Sequence, residues 1–264
     1  MAKKRQVGIL IILITIFFAI NYSSIDSFLK DFLDESKTAI VSRVIDGDTL
    51  EITDKGNRES VRLLGINTPE RGEVLYDEAK RFLEELSLNK SVRLEFGKDR
   101  YDRYNRTLAY IFVNEFNINK EIVRQGYANI YFPSGKDVYY NEFLEAWKEC
   151  INRDINLCEK SKDECANCVI LKDLDVKNQK VIFENKCGFD CDLNKWTIKD
   201  EGRKKFIFGN FILRENENVE VIIGNGKNTS KTLYWKGYEY VWTETGDSIF
   251  LRDEKNKLVL YKNY

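Results

Sequence analysis

The residues best suited to chemistry lie in three short segments. "IDGDT", Ile45 to Thr49, sets Asp46 and Asp48 two apart across a glycine turn. "RLLGINTPER" carries Arg62, Asn67, Thr68 and, just past a Thr-Pro turn, Glu70. "DRYNRTLAY" carries Arg103, Tyr104 and Arg106. A hard divalent cation wants several oxygens from carboxylates, carbonyls and water, and an Asp-x-Asp turn supplies some of them. Two guanidiniums offer forked donors matched to phosphate oxygens in a crowded transition state. A carboxylate can position water or take its proton. Each feature alone is ordinary, since Asp-Gly-Asp turns, strand arginines and surface glutamates are common. Their conjunction points to phosphodiester hydrolysis. The sequence contains no histidine, so imidazole bases, histidine metal ligands and Ser-His-Asp triads are excluded.

These residues must be held by strand ends and turns. "AIVSRVIDGDTLEIT" alternates around the Asp-Gly-Asp turn and reads as a hairpin. "SVRLLGI", "SVRLEFG" and "TLAYIFV" read as further strands. Leu75, Ala79, Phe82, Leu83 and Leu86 share one helical face. "NKEIVRQGYA" and "YYNEFLEAWKECI" read as two more helices, the latter with Phe143, Leu144, Trp147 and Ile151 inward. Five strands with a helix between the third and fourth predict an OB-type barrel with three helices. From about Val169 the pattern changes to some seven short strands separated by turns, which predicts an antiparallel β-sandwich. The expected class is mainly β with some α.

The 264 residues suffice for two modest units, and a net charge of -1 leaves room only for a local nucleic-acid patch. Lys3, Lys4 and Arg5 precede an apolar run, Val7 to Ile20. Such a run suits a signal peptide or a short membrane anchor, with everything after residue 24 outside the cytoplasm. The expected divisions are a signal or anchor at 1–24, a juxtamembrane linker at 25–38, the barrel at 39–159, a cysteine-rich linker at 160–168 and the sandwich at 169–264. Six cysteines, at 150, 158, 165, 168, 187 and 191, all fall in the second half or at the junction. Export favours disulfides, with a zinc site from Cys165, Cys168, Cys187 and Cys191 as the rival. The close spacing of Cys187 and Cys191 suits a bond between them.

"VIDGDTL", "RLLGINTPE", "DRYNRTLAYIFV" and "EIVRQGYA", in this order, resemble the staphylococcal nuclease (thermonuclease) family over roughly Ala39 to Glu159. The resemblance implies an OB-type barrel and calcium-dependent cleavage of DNA and RNA that leaves 3'-phosphate ends. It assigns Arg62 and Arg106 to phosphate binding and Glu70 to the general base. Asp48 and the Thr68 carbonyl become Ca²⁺ ligands, with Asp46 acting through water. Arg103 and Tyr104 become substrate contacts. Asn67 stands where the family has a second calcium aspartate. The amide keeps an oxygen but loses a charge, so calcium binding should weaken and Mg²⁺ could compete. Asn105 replaces a glycine, and asparagine tolerates left-handed backbone.

"VIFENKCGFDCDLNKWTIKDEG", "FIFGNFILRENENVEVIIGNG" and "WTETGDSIFLRDEKNKLVLY" resemble a lamin-tail domain, which implies an immunoglobulin-like sandwich used in binding. Leu193, Trp196 and Ile198 are expected in its core. Arg203, Lys204 and Lys205 read as a solvated strand entry. The expected protein is a monomer, secreted or membrane-anchored through its N-terminal segment, that acts on DNA and RNA, with no assigned ligand for the sandwich. The alternative is a surface-tethered binding module whose barrel is inert.

Overall fold

The computed structural model describes residues 36–264 and, before them, residues 6, 8, 14–17 and 20–22. Residues 14–17 are helical. The basic cluster Lys3 to Arg5, residues 9–13 and 18–19 of the apolar run, and residues 23–35 lie outside the described residues. Most of the expected signal or anchor and linker falls there. Among the described residues no helix is long and apolar enough to cross a membrane.

The Asp-Gly-Asp turn joins β1 (Ser36–Asp46) to β2 (Thr49–Asp54), and β1 starts ahead of the expected Ala39. β3 (Asn57–Leu63), β4 (Gly65–Asn67), α1 (Tyr76–Ser87), β5 (Ser91–Tyr101) and β6 (Thr107–Val113) follow. Then come β7 (Phe116–Asn117), α2 (Ile118–Arg124), β8 (Asn129–Tyr131) and α3 (Tyr140–Arg153). The main sheet runs β3-β2-β1-β5-β6-β7, and a parallel seam of β3 on β6 closes it. This is the expected five-stranded barrel with three helices. The alternation of β1 and β2 buries Val41, Val44, Leu50 and Ile52 inside it. α1 buries Ala79 and Leu83, and α3 buries Phe143 and Trp147, as their periods predict. A short ladder of β4 on β8, Ile66 opposite Ile130, was not evident in the sequence.

The C-terminal half holds β9 (Val169–Asp175), β10 (Lys180–Asn185), β11 (Cys191–Asp192), β12 (Thr197–Lys199) and β13 (Lys205–Ile207). It continues through β14 (Ile212–Leu213), β15 (Asn218–Ile223), β16 (Thr232–Trp235), β17 (Ser248–Arg252) and β18 (Leu258–Asn263). One sheet runs β16-β15-β10-β9 and another β13-β12-β17-β18, with β11 and β14 as a separate pair. The β15–β16 pairing is parallel, so the sheets are not antiparallel throughout. Leu193, Trp196 and Ile198 are buried as expected.

All six cysteines form disulfides: Cys150–Cys158, Cys165–Cys191 and Cys168–Cys187. The expected Cys187–Cys191 bond does not form. The two residues lie side by side, Sγ to Sγ 3.4 Å, and each bonds across to the segment entering β9. The two halves also share apolar packing. Phe250 and Leu258 belong to the same buried cluster as the barrel core, and Trp147 of α3 meets Phe250 edge-on at 5.7 Å.

Candidate active site

Gly47 fixes the turn between β1 and β2. A Cβ there would lie 2.8 Å from the Ala79 Cβ and 3.0 Å from the Thr68 Cβ, so only glycine lets the turn lie against α1 and the Thr68 segment. The turn delivers Asp48 into a buried network. Its Oδ2 accepts from the Thr68 amide at 3.2 Å and the Thr68 hydroxyl at 3.0 Å. The same oxygen pairs with Arg62 Nη1 at 2.9 Å. Its Oδ1 accepts from the Thr49 hydroxyl at 3.0 Å. Asp46 accepts from the Asp48 amide at 3.1 Å. Burial and the neighbouring Asp48 carboxylate push Asp46 up to about 6. A divalent cation between the two acids would relieve that repulsion, so the donor set fits a hard metal ion.

Arg62 is almost wholly buried and anchored by more than charge. Nη1 also donates to the Leu63 carbonyl at 3.1 Å, and Nη2 to the Ile66 carbonyl at 3.1 Å. Losing either partner of the Arg62–Asp48 pair would strand a buried charge. Arg106 reaches the same network from the start of β6, because the parallel seam sets Val61 opposite Thr107. Its Nη1 donates to the Thr49 hydroxyl at 3.4 Å.

Asp102 orients Arg106, and sequence reasoning passed it over. Its Oδ2 takes Arg106 Nε at 2.7 Å and Nη2 at 2.6 Å, and its Oδ1 takes the Arg106 and Tyr104 amides. Burial would raise this carboxyl, but the bonds from Arg106 outweigh it and hold Asp102 below the usual range. The available signal was an Asp four residues before an Arg across a turn. Asn105 sits there at φ 60°, the left-handed conformation expected of it. Arg103 and Tyr104 line the rim. Arg103 Nη2 donates to the Tyr104 hydroxyl at 2.8 Å, and both Arg103 and Arg106 lie over the Tyr104 ring.

Two expected site residues face the C-terminal half instead. Asn67 Nδ2 donates to the carbonyls of Glu201 at 3.2 Å and Gly202 at 2.8 Å. Two acceptors fix the amide's orientation, and only Oδ1 is left to meet a cation. Glu70 is half-exposed, and its Oε1 pairs with Arg203 Nε at 2.6 Å. Lys205 pairs with Glu73 at 2.6 Å. The Arg203 to Lys205 cluster is therefore no merely solvated strand entry, because it docks on the loop that carries Glu70. Thus Asp46, Asp48, Arg62, Thr68 and Arg106 come together, Glu70 and Asn67 lie at the seam, and Arg103 and Tyr104 lie at the rim.

Comparison with known proteins follows this geometry. Residues 60–160 match the family described as staphylococcal nuclease homologue. The chain is 34% identical to a thermonuclease of Staphylococcus intermedius over 60% of its own length and 99% of that protein. It is 39% identical to an uncharacterized endonuclease of Haemophilus influenzae, over 42% of this chain and 62% of the other. It is 33% identical to a thermonuclease of Staphylococcus hyicus, over 43% and 70% respectively.

Proposed function

This chain belongs to the staphylococcal nuclease family, and on that premise we propose that it is a metal-dependent nuclease hydrolysing DNA and RNA to 3'-phosphate and 5'-hydroxyl ends. The observation that carries this reading is the network joining Asp48, Arg62, Thr68 and, through Thr49, Arg106, with Glu70 two residues after Thr68 in the chain. Asp46, Asp48, Thr68 and the Asn67 oxygen would hold Ca²⁺ or Mg²⁺, which supplies charge neutralisation at the phosphate when bound. Arg62 and Arg106 stabilise the equatorial oxygens, and Asp102 presets the Arg106 fork. Glu70 takes the proton of the attacking water. Water oxygen bonds to phosphorus, the bond to the 5' oxygen breaks, and that oxygen takes a proton from solvent to leave as a hydroxyl, while Glu70 returns its proton to solvent. Arg203 must give up its Glu70 oxygen, or share it, as substrate arrives.

The N-terminal basic cluster and apolar run, together with three disulfides, support export or anchoring at a membrane. The C-terminal sheets are read as a lamin-tail-like, immunoglobulin-like unit from about Val169 to Tyr264.

Digestion assays test the reading. The region after residue 24 should cut DNA and RNA with added Ca²⁺ and stop with chelator. Glu70→Gln and Arg106→Ala should each lower the rate by roughly 10²-fold or more, with unchanged circular dichroism. A double variant as fast as wild type would overturn the assignment.

A further inference from the structure

A cavity of about 240 Å³ lies between the Pro69–Val74 loop and the sheet made by β12, β13 and β17. Its charged lining is one-sided. Lys199, Lys205 and Arg252 contribute three cations, against the single carboxylate of Glu73. The sheet register brings them together: Lys199 lies directly opposite Lys205, and Arg252 is opposite Thr197, two residues along β12 from Lys199. Like charges directly across a sheet destabilise it unless something compensates. Glu73 serves Lys205. The Lys199 amine has no hydrogen bond or ion pair among the described residues. Arg252 is buried and spends Nη1 on the Leu157 carbonyl at 2.7 Å and the Asn256 carbonyl at 3.1 Å. Its Nε and Nη2 have no acceptor among the described residues. Lys205 stays exposed at the cavity mouth, whereas Lys199 is only partly exposed beneath the barrel loop.

We propose that this cavity is a phosphate-binding site, in which the Lys199 amine and the Arg252 guanidinium, with Lys205 beside them, take the oxygens of one phosphate group. Three cations less one carboxylate leave two positive charges, which matches a phosphate dianion better than a carboxylate. The guanidinium fork fits two of its oxygens. Burial holds the Lys199 amine below its usual range, and an anion beside it would restore its charge. The phosphate could be free, as inorganic phosphate or a nucleotide, or part of a nucleic-acid strand passing the Glu70 loop. The site stands on its own lining and does not depend on hydrolysis.

Full-length protein in chelator should be titrated with inorganic phosphate, by calorimetry and by thermal shift. Wild type should bind. Lys199→Met, which keeps the buried stem, and Lys205→Met should each weaken binding about tenfold or more, while Lys227→Met, on an exposed stretch outside the cavity, should bind as wild type does. Unchanged phosphate affinity in both lysine variants would overturn the proposal. So would loss confined to Arg106→Ala, which would place the phosphate in the nuclease site. A ten-nucleotide DNA in chelator separates the sources. Weaker oligonucleotide binding by Lys199→Met assigns the cavity to a strand phosphate, and unchanged binding assigns it to free phosphate.

Discussion

Asn67 gives the departure from the family pattern a physical reason. An aspartate there would set its carboxylate against the Glu201 and Gly202 carbonyls, all acceptors. Asn67→Asp should therefore cost about 1–3 kcal/mol of stability, read by denaturant unfolding. The same change adds a charge to the proposed metal site, so, on that proposal, half-maximal activity should need less Ca²⁺. The substitution itself was legible in the sequence. Its cause was not, because the partners lie 134 and 135 residues away and no local pattern links them. Asp102 was missed for the opposite reason. It is close to Arg106, but a turn aspartate looks the same whether it caps its own loop or holds a guanidinium.

Elements with one strong period were readable: α1, α3 and the β1–β2 hairpin formed where expected. Strand β9 was not among the expected strands, because "VILKDLD" lacks a clean alternation and only Val169 is buried, and the parallel register of β15 on β16 has no sequence signature. Cysteine pairing was equally hidden, since proximity in sequence favoured Cys187–Cys191 and the fold chose nested bonds back to Cys165 and Cys168. Cys165–Cys191 and Cys168–Cys187 close loops of 26 and 19 residues. Replacing either pair by alanine should cost about 2–4 kcal/mol, measured by unfolding under oxidising conditions. The turn between β12 and β13 should also respond to pH. Burial and Asp247 push Asp200 up to about 7. Its neutral form is favoured in the folded state, so its contribution is complete below about pH 4 and is lost as pH rises through about 7. Relative to Asp200→Asn, wild type should lose stability across that window and then level off, as thermal midpoints at stepped pH will record.

Across the whole molecule, the two halves share one packed seam. Trp147 packs on Phe250 and Tyr261, and Arg252 donates to the Leu157 carbonyl. Cutting the chain after residue 163 would uncover Trp147 and remove Phe250, Leu258 and Tyr261. That loss should cost roughly 3 kcal/mol or more. The full chain should unfold in one transition, and the truncated barrel should melt lower in calorimetry. The loop at 200–205 adds a different consequence. It holds Asn67, Glu70 and Glu73 at once, so the barrel loop and the C-terminal sheets are physically joined there. If nucleic acid draws Arg203 off Glu70 and so alters the affinity of the C-terminal half for some ligand, that ligand must alter nucleic-acid binding by the same factor.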